Sequence, residues 1–460
     1  MDDIYNGFGT IALKTLIFTL KFNIGSKFAY SNPRKNDNRI NRKGKMEKDI
    51  CLDPAFIEQW VSKDMTGRLT GRFKEFTLHT ALQPIYSLAH KRAVGYEALL
   101  RVQDQDRWVS PAQLFDGCGT PFENISLDRL SRYLHLNNFT AFDDDINWLF
   151  LNVSPQTIAN AHRYGPFFED LIRKAGFPAH RIVIEVVEEP ISDNNLLVET
   201  TQFYKNLGCL VAIDDFGAGH SNFDRIWTLK PDIVKLDRSF LVKADKQEAI
   251  RSLLPGIVSL LHQAGSLVLL EGIETRDQAL IALESDVDFV QGFFFCRPFT
   301  DFSTSSVFDQ FDPLIDHYKS YANIETDRFQ KKAVRYASIF KGAAANLMSG
   351  RPFEKAVAAL LSEPLVVRCY QIGTDGVQIG STLVSMALEK NIDKRFLPLD
   401  DAKSADWFRR HYLKRAILHP GQLQVSRPYL SITGAHMCIT LSMNFSGPDR
   451  DRVLCVDLLA

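Results

Sequence analysis

The sequence predicts an α/β protein, a TIM-like (β/α)8 barrel followed by a smaller α+β domain, and three observations carry that expectation. From Leu78 to Gly292 short apolar runs alternate with helical patterns, as repeated βα units do. Nearly every one of those runs ends on a carboxylate, an amide or a lysine. Barrel strands do this when they deliver a site to one mouth. Beyond about residue 350 the pattern changes to strand runs parted by glycine turns, which reads as an antiparallel meander.

The strand runs are Thr80–Leu88, Ala93–Leu100, Trp148–Val153, Arg181–Val187, Val211–Asp215, Ile233–Asp237, Ser266–Gly272 and Val287–Gly292. Helical patterns fall between them at Asp128–Leu136, Pro166–Ala175, Asn194–Leu207, Phe223–Leu229, Glu248–Ala264 and Arg276–Leu283. The alternation implies a parallel sheet, with a turn at His90-Lys91-Arg92 between the first two runs. Its centre is Leu210–Leu241, LVAIDDFGAGHSNFDRIWTLKPDIVKLDRSFL, where a strand stops at two adjacent carboxylates, a glycine-paired loop follows, and the next strand carries a lysine. Alone, an Asp-Asp pair is most often a solvated turn. Here eight polar strand ends accompany one another.

Composition narrows the rest. The chain has 460 residues, 45% hydrophobic and 24% charged, with a net charge of −1, so nothing in its overall charge favours a nucleic-acid duplex. Seven scattered cysteines form no CxxC pair, and they read as buried thiols in a reducing, cytoplasmic setting. The first apolar stretch, Ile11–Ile24, is too short and too charged for a transmembrane span. Residues 1–45 are expected to be an appended or disordered leader, with a membrane-surface helix as the lesser alternative. Residues 46–310 would form the barrel, 311–350 a connecting helix and 351–460 the second domain.

Glu97, Asn152, Glu185, Asp214, Asp215, Lys235, Glu271 and Gln291 would converge at the barrel mouth. So many oxygen donors suit hard divalent cations, Mg²⁺ or Mn²⁺, and no His or Cys cluster supports zinc. Two ions about 3.5–4 Å apart are an arrangement used in phosphodiester hydrolysis. A lysine among those acids should stay protonated and steady developing negative charge.

The motifs resemble those of the EAL-domain cyclic-di-GMP phosphodiesterases. The matching blocks are Gln83-Pro84-Ile85, Glu97-Ala98-Leu99 leading to Arg101, Leu151-Asn152-Val153-Ser154-Pro155, and Glu185 with Glu188. They continue through Asp214-Asp215-Phe216-Gly217, Lys235-Leu236-Asp237, Glu271-Gly272-Ile273-Glu274 and Gln291-Gly292-Phe293. The resemblance implies that Glu97, Asn152, Glu185 and Asp214 hold one metal and that Asp214 and Asp215 reach a second. It makes Lys235 a contact of the hydrolytic water and Glu271 a general base or second-metal ligand. Gln83, Arg101, Asp237 and Gln291 would line the substrate side, with Glu188 and Glu274 in support. It further implies a homodimer, inhibition by Ca²⁺, and linearisation of cyclic-di-GMP to pGpG. Ala218, His220, Asn222, Val187 and Phe293 depart from the commoner residues, and none of them is a ligand.

The last third reads as a helix, Thr326–Met348, a second helix, Pro352–Leu361, and strands Pro364–Ile372, Val377–Ile379, Tyr429–Ile432, His436–Phe445 and Arg452–Leu459 around a helix, Asp406–Ile417. This pattern is similar to PAS-like (Cache-like) sensor domains, which implies regulation by an unknown ligand or partner. Arg368, Tyr370, Arg427 and Tyr429 are pocket candidates that read more readily as surface positions. The alternatives to the enzyme are a non-catalytic cyclic-di-GMP receptor and a protein-interaction module on the same barrel. The intact acidic set argues for the enzyme, because a pure binder has no need of all of it.

Overall fold

The computed structural model describes residues 52–460 apart from 143–145, 155–156, 158–166, 188–193, 219–222, 304–307, 386–401, 431–436, 448 and 460, and omits the side chains of 321–334. The leader and Glu188 therefore lie outside the described residues. Seventeen strands are present among these: β1 Val61–Lys63, β2 Leu69–Phe73, β3 Phe76–Ser87, β4 Arg92–Asp104, β5 Arg107–Val109, β6 Trp148–Val153, β7 Ile182–Val187, β8 Leu210–Phe216, β9 Ile233–Leu236, β10 Leu267–Leu270, β11 Phe289–Val290, β12 Val366–Gly373, β13 Gln378–Val384, β14 Gln424–Val425, β15 Tyr429–Leu430, β16 Met437–Ser446 and β17 Asp451–Leu459.

Eight of them close the barrel in the order β3-β11-β10-β9-β8-β7-β6-β4, and β4 pairs back onto β3. The expected parallel sheet is corrected at one strand. β3 runs antiparallel to both of its neighbours, β4 and β11, while the other neighbouring pairs are parallel. The reason is local. Only four residues, Leu88–Lys91, separate β3 from β4, too few for the crossover that a parallel pair needs. β1 and β2 extend the sheet beyond β3, and β5 extends it beyond β4.

Inside the barrel, Ile85, Phe150, Val183, Ala212, Ile233, Leu269 and Phe289 form a closed apolar plug, one residue from each of seven strands. β4 contributes Gly95, where a Cβ would stand 2.8 Å from the Phe150 ring, so glycine makes room for that ring. Outside, helices including Pro121–Phe142, Asn194–Asn206 and Glu248–Gln263 bury their apolar stripes against the strands' outer faces.

The helix read at Thr326–Met348 is longer and runs Phe311–Met348. Pro313 sits in its first turn, where a missing N–H costs nothing. Phe311 and Leu314 are buried in the barrel's outer core. At the far end Tyr336, Phe340, Ala343, Ala344 and Leu347 pack under a second sheet of order β13-β12-β17-β16-β14, with β15 on β16. Cys209, Cys369, Cys438 and Cys455 are buried free thiols.

Phe150 is fully buried at the centre of the plug. Phe150→Ala is expected to lower unfolding free energy by about 3–5 kcal/mol, measured by urea denaturation with and without divalent ions.

Candidate active site

One layer above the plug, every barrel strand changes from apolar to polar. Side chains alternate across a strand with period two, so the residue two positions toward the mouth faces the same interior. Gly95 is followed by Glu97, Phe150 by Asn152, Val183 by Glu185, Ala212 by Asp214, Ile233 by Lys235, Leu269 by Glu271 and Phe289 by Gln291. On the reversed β3 the same step runs backwards, from Ile85 to Gln83, which pairs directly with Glu97. The antiparallel strand thus supplies its site residue from mid-strand.

Strict alternation would turn Asp215 out of the barrel. The β8–β9 register instead shifts between Ile213 and Phe216, and Asp215 adopts a left-handed φ of +57°. A bulge of this kind re-aims a side chain. Ligand oxygens of Asp214, Asp215 and Glu271 consequently all lie within 4.8 Å of one another. Gly217 follows at φ +101°, where a Cβ would meet the Phe240 ring at 1.9 Å, so the chain can leave the bulge only through glycine.

Lys235 is the hub. Its side chain is 1% exposed, and Nζ lies 2.5 Å from Glu185, 2.7 Å from Glu271, 2.9 Å from Asp214 and 3.9 Å from Glu97. Burial alone would lower its pKa, but Asp214, Glu185, Glu271 and Glu97 outweigh that and hold the ammonium charged, well above its usual range. Glu185, with no exposed surface, is pushed well above the carboxylate range by burial and then by Glu97. Burial raises Glu271 likewise. Glu97 is fixed from two sides: Gln291 Nε2 donates to it at 2.8 Å and Asn152 Nδ2 at 3.2 Å.

The donor set fits a hard cation. Glu185 Oε2 and Gln291 Oε1 are buried acceptors that no donor of the described residues satisfies, and such atoms need a partner. All ligand candidates are oxygens, as Mg²⁺, Mn²⁺ and Ca²⁺ prefer.

Other expected residues stand at the periphery. Gln83 is buried and donates to the Cys296 carbonyl at 3.2 Å. Arg101 lines a cavity of about 710 Å³ that opens beside Asn152. Asp237 caps the helix Arg238–Lys246 by accepting from Ser239 N at 2.9 Å. Glu274 pairs with Arg238 at 2.7 Å.

Sequence reasoning passed over the wall of that cavity. Asn124, Asp128, Ser131, Arg132 and His135 of the helix Pro121–Phe142 are all buried. Asp128 accepts from Ser154 N at 2.9 Å and pairs with Arg132, tying down the end of the strand that presents Asn152. The available signal was a set of polar residues at helical spacing, 124, 128, 131 and 135.

With Lys235 removed, the carboxylate layer loses its internal cation. Lys235→Met is expected to destabilise the metal-free protein by about 3–5 kcal/mol, the cost of breaking a buried pair. Mg²⁺ or Mn²⁺ should restore more stability to the variant than to the parent, as read from urea midpoints in chelator and in each ion.

The EAL-domain family matches residues 67–298, half of the chain. YkuI of Bacillus subtilis, an uncharacterised EAL-domain-containing protein, is 27% identical over 312 residues, 65% of this chain and 75% of that one. The probable cyclic di-GMP phosphodiesterase PdeD of Escherichia coli is 27% identical over 222 residues, 47% of this chain and 40% of that one. The cyclic di-GMP phosphodiesterase NbdA of Pseudomonas aeruginosa is 26% identical over 250 residues, 51% of this chain and 30% of that one. The chain thus spans three quarters of the first relative and less than half the length of the other two. A crystal structure of YkuI in complex with substrate c-di-GMP and calcium superposes with a TM-score of 0.70. It covers 83% of this chain and 96% of that one at 21% identity, a likeness of fold that reaches beyond the barrel. The chain belongs to the EAL-domain family.

Proposed function

We propose that the barrel is a divalent-metal-dependent phosphodiesterase that opens cyclic-di-GMP to linear pGpG. The observation that carries this reading is the buried carboxylate layer around Lys235. Four carboxylates, Glu97, Glu185, Asp214 and Glu271, face one ammonium, and Asp215 stands beside Asp214 and Glu271 as a fifth. Fully ionised, they leave a formal charge of −4, which two divalent cations would cancel. The relatives named as cyclic di-GMP phosphodiesterases support the choice of substrate.

Glu97, Asn152, Glu185 and Asp214 would hold the first ion, and Asp214, Asp215 and Glu271 the second. The ions supply Lewis acidity at the phosphoryl oxygens and at the attacking water. Mg²⁺ or Mn²⁺ is the proposed pair, with Ca²⁺ inhibitory because its looser coordination positions water poorly. Lys235 keeps its proton and directs Nζ–H toward negative charge developing on the phosphoryl group. Glu271, whose pKa burial raises, is suited to take a proton from the water if it is not bound to metal. Gln83, Arg101, Asp237 and Gln291 are assigned to the substrate side, with Arg101 in the cavity beside Asn152. Glu188 and Glu274 remain in the reading as supporting residues.

The same reading divides the chain into a barrel (46–310), a connecting helix (311–350) and a PAS-like regulatory domain (351–460), with 1–45 as a leader. A homodimer and a cytoplasmic location belong to it. No helix among the described residues is long and apolar enough to cross a membrane.

The test is chromatography of cyclic-di-GMP incubated with the full chain in Mg²⁺, Mn²⁺ or Ca²⁺. Metal-dependent pGpG supports the enzyme, and tight nucleotide binding without product points to a receptor. Glu97→Ala should lose more activity than the about 10–100-fold that outer-shell partners of a metal cost, with its fold retained. Lys235→Ala should lower kcat more than it raises KM, as befits a transition-state contact.

A further inference from the structure

The second sheet is covered on both faces. The helix Phe311–Met348 lies on one, against Val366, Cys369, Leu441 and Leu454. The helix His411–Leu418 lies on the other, where Tyr412, Leu413 and Ala416 pack with Tyr370, Ile372, Val453 and Cys455. Arg368 and Tyr370 are therefore buried, a correction to their reading as surface positions; Arg427 is exposed as that reading had it. Arg368 stands where the register of β12 shifts against β17, and it pairs with Asp457.

The outer side of the helix His411–Leu418 is a different surface. His411, Lys414, Arg415 and Leu418 stand at i, i+3, i+4 and i+7, which is one helix face, and all four are exposed. Phe408 joins them, because Lys414 Nζ lies over its ring at 5.7 Å. Phe408 is 51% exposed and Leu418 74%, so large apolar side chains stand in water beside the cations.

The charge of this stretch has one sign. Residues 407–419 include Arg409, Arg410, Lys414 and Arg415 and no acid. Arg409, Lys414 and Arg415 form no ion pair among the described residues. Asp406, just before the stretch, turns its carboxylate to the backbone and accepts from Phe408 N at 2.8 Å. Over every residue of 373–427, nine lysines and arginines stand against six acids, a net +3 in a chain of net −1. The loops of that run therefore do not cancel the excess. A merely solvated face mixes both signs. Lysine and arginine with exposed phenylalanine and leucine on one face are the pattern of a helix resting on anionic lipid. The face is also preformed, since its underside is held in the sheet's core, and docking needs to order little chain.

We propose that the face of Phe408, Lys414, Arg415 and Leu418 docks the protein on the surface of a membrane rich in anionic lipid. The cations meet the headgroup phosphates, and the two apolar side chains enter the acyl boundary. A nucleic-acid duplex would use the cations and leave Leu418 in water. The contact is peripheral, and it is independent of the chemistry assigned to the barrel.

The test is flotation of the full chain with vesicles of phosphatidylcholine alone, or of equal parts phosphatidylcholine and phosphatidylglycerol. The chain should float with the anionic vesicles and not with the neutral ones, and added salt should release it. Lys414→Glu combined with Arg415→Glu should weaken binding by about tenfold or more. Leu418→Ser should weaken it too, with its salt dependence unchanged. Lys243→Glu combined with Lys246→Glu alters net charge equally on a barrel helix and should leave binding as in the parent. Circular dichroism confirms that the variants fold. Three results overturn the proposal: equal binding to both vesicles; equal binding of the Lys414/Arg415 variant and the parent, as when residues 1–45 carry the contact; and binding to a DNA duplex without binding to vesicles.

Discussion

Burying like charges at one level of a barrel is the constraint on which the rest of this structure depends. Glu97, Glu185 and Asp214 are each less than a tenth exposed, and Glu185 not at all. Carboxylates so placed repel one another and lose hydration, and ordinarily they would take up protons or swing apart. Neither escape is fully open here. The plug of Ile85, Phe150, Val183, Ala212, Ile233, Leu269 and Phe289 fixes the strands beneath them, and Lys235 binds three of the acids within 3 Å. One ammonium offsets part of the charge. The remainder is a standing demand for cations at a place the fold has already shaped.

Geometry meets that demand through departures from regular structure. A regular β8 would offer Asp214 to the interior and Asp215 to the outer helices. The slip at Ile213–Phe216 and the positive φ of Asp215 bring the two carboxylates to one side, at a cost in backbone strain of order 1–3 kcal/mol. Gly292 works similarly on β11's exit. A Cβ there would stand 2.1 Å from the Ile273 carbonyl oxygen, so only glycine lets the chain after Gln291 lie against the Glu271-Gly272-Ile273 segment. Ile273 N and Gln291 O then join the two strand ends at 3.1 Å.

Much of this was legible in the sequence, because period-two alternation over a barrel makes each polar strand end visible against its apolar run. The eight strands and their polar ends could be read in that way. The reversal of β3 could not be read from alternation, which is blind to strand direction. Only the four-residue connection Leu88–Lys91 betrays it. Asp128 and Arg132 escaped notice because their helix is buried on nearly all sides, and charged residues in a helix are by default assigned to a solvated face. Arg368 and Tyr370, read as surface positions, are buried because both faces of their sheet are covered, one by the helix Phe311–Met348 and the other by the helix His411–Leu418, so that β12 is buried at every residue.

The same device thus builds both polar centres. In β8 a register slip brings Asp215 to the side of Asp214 and Glu271; in β12 a register slip carries a guanidinium to a carboxylate. The outcomes differ. The barrel layer has more acids than Lys235 can neutralise and is open at the mouth, so its unmet charge calls for cations from solution. In the second sheet Arg368 and Asp457 meet at 3.0 Å as a buried pair, and Thr440 and Tyr370 also donate to Asp457. In both, the break in regularity is what brings charged side chains together inside the fold.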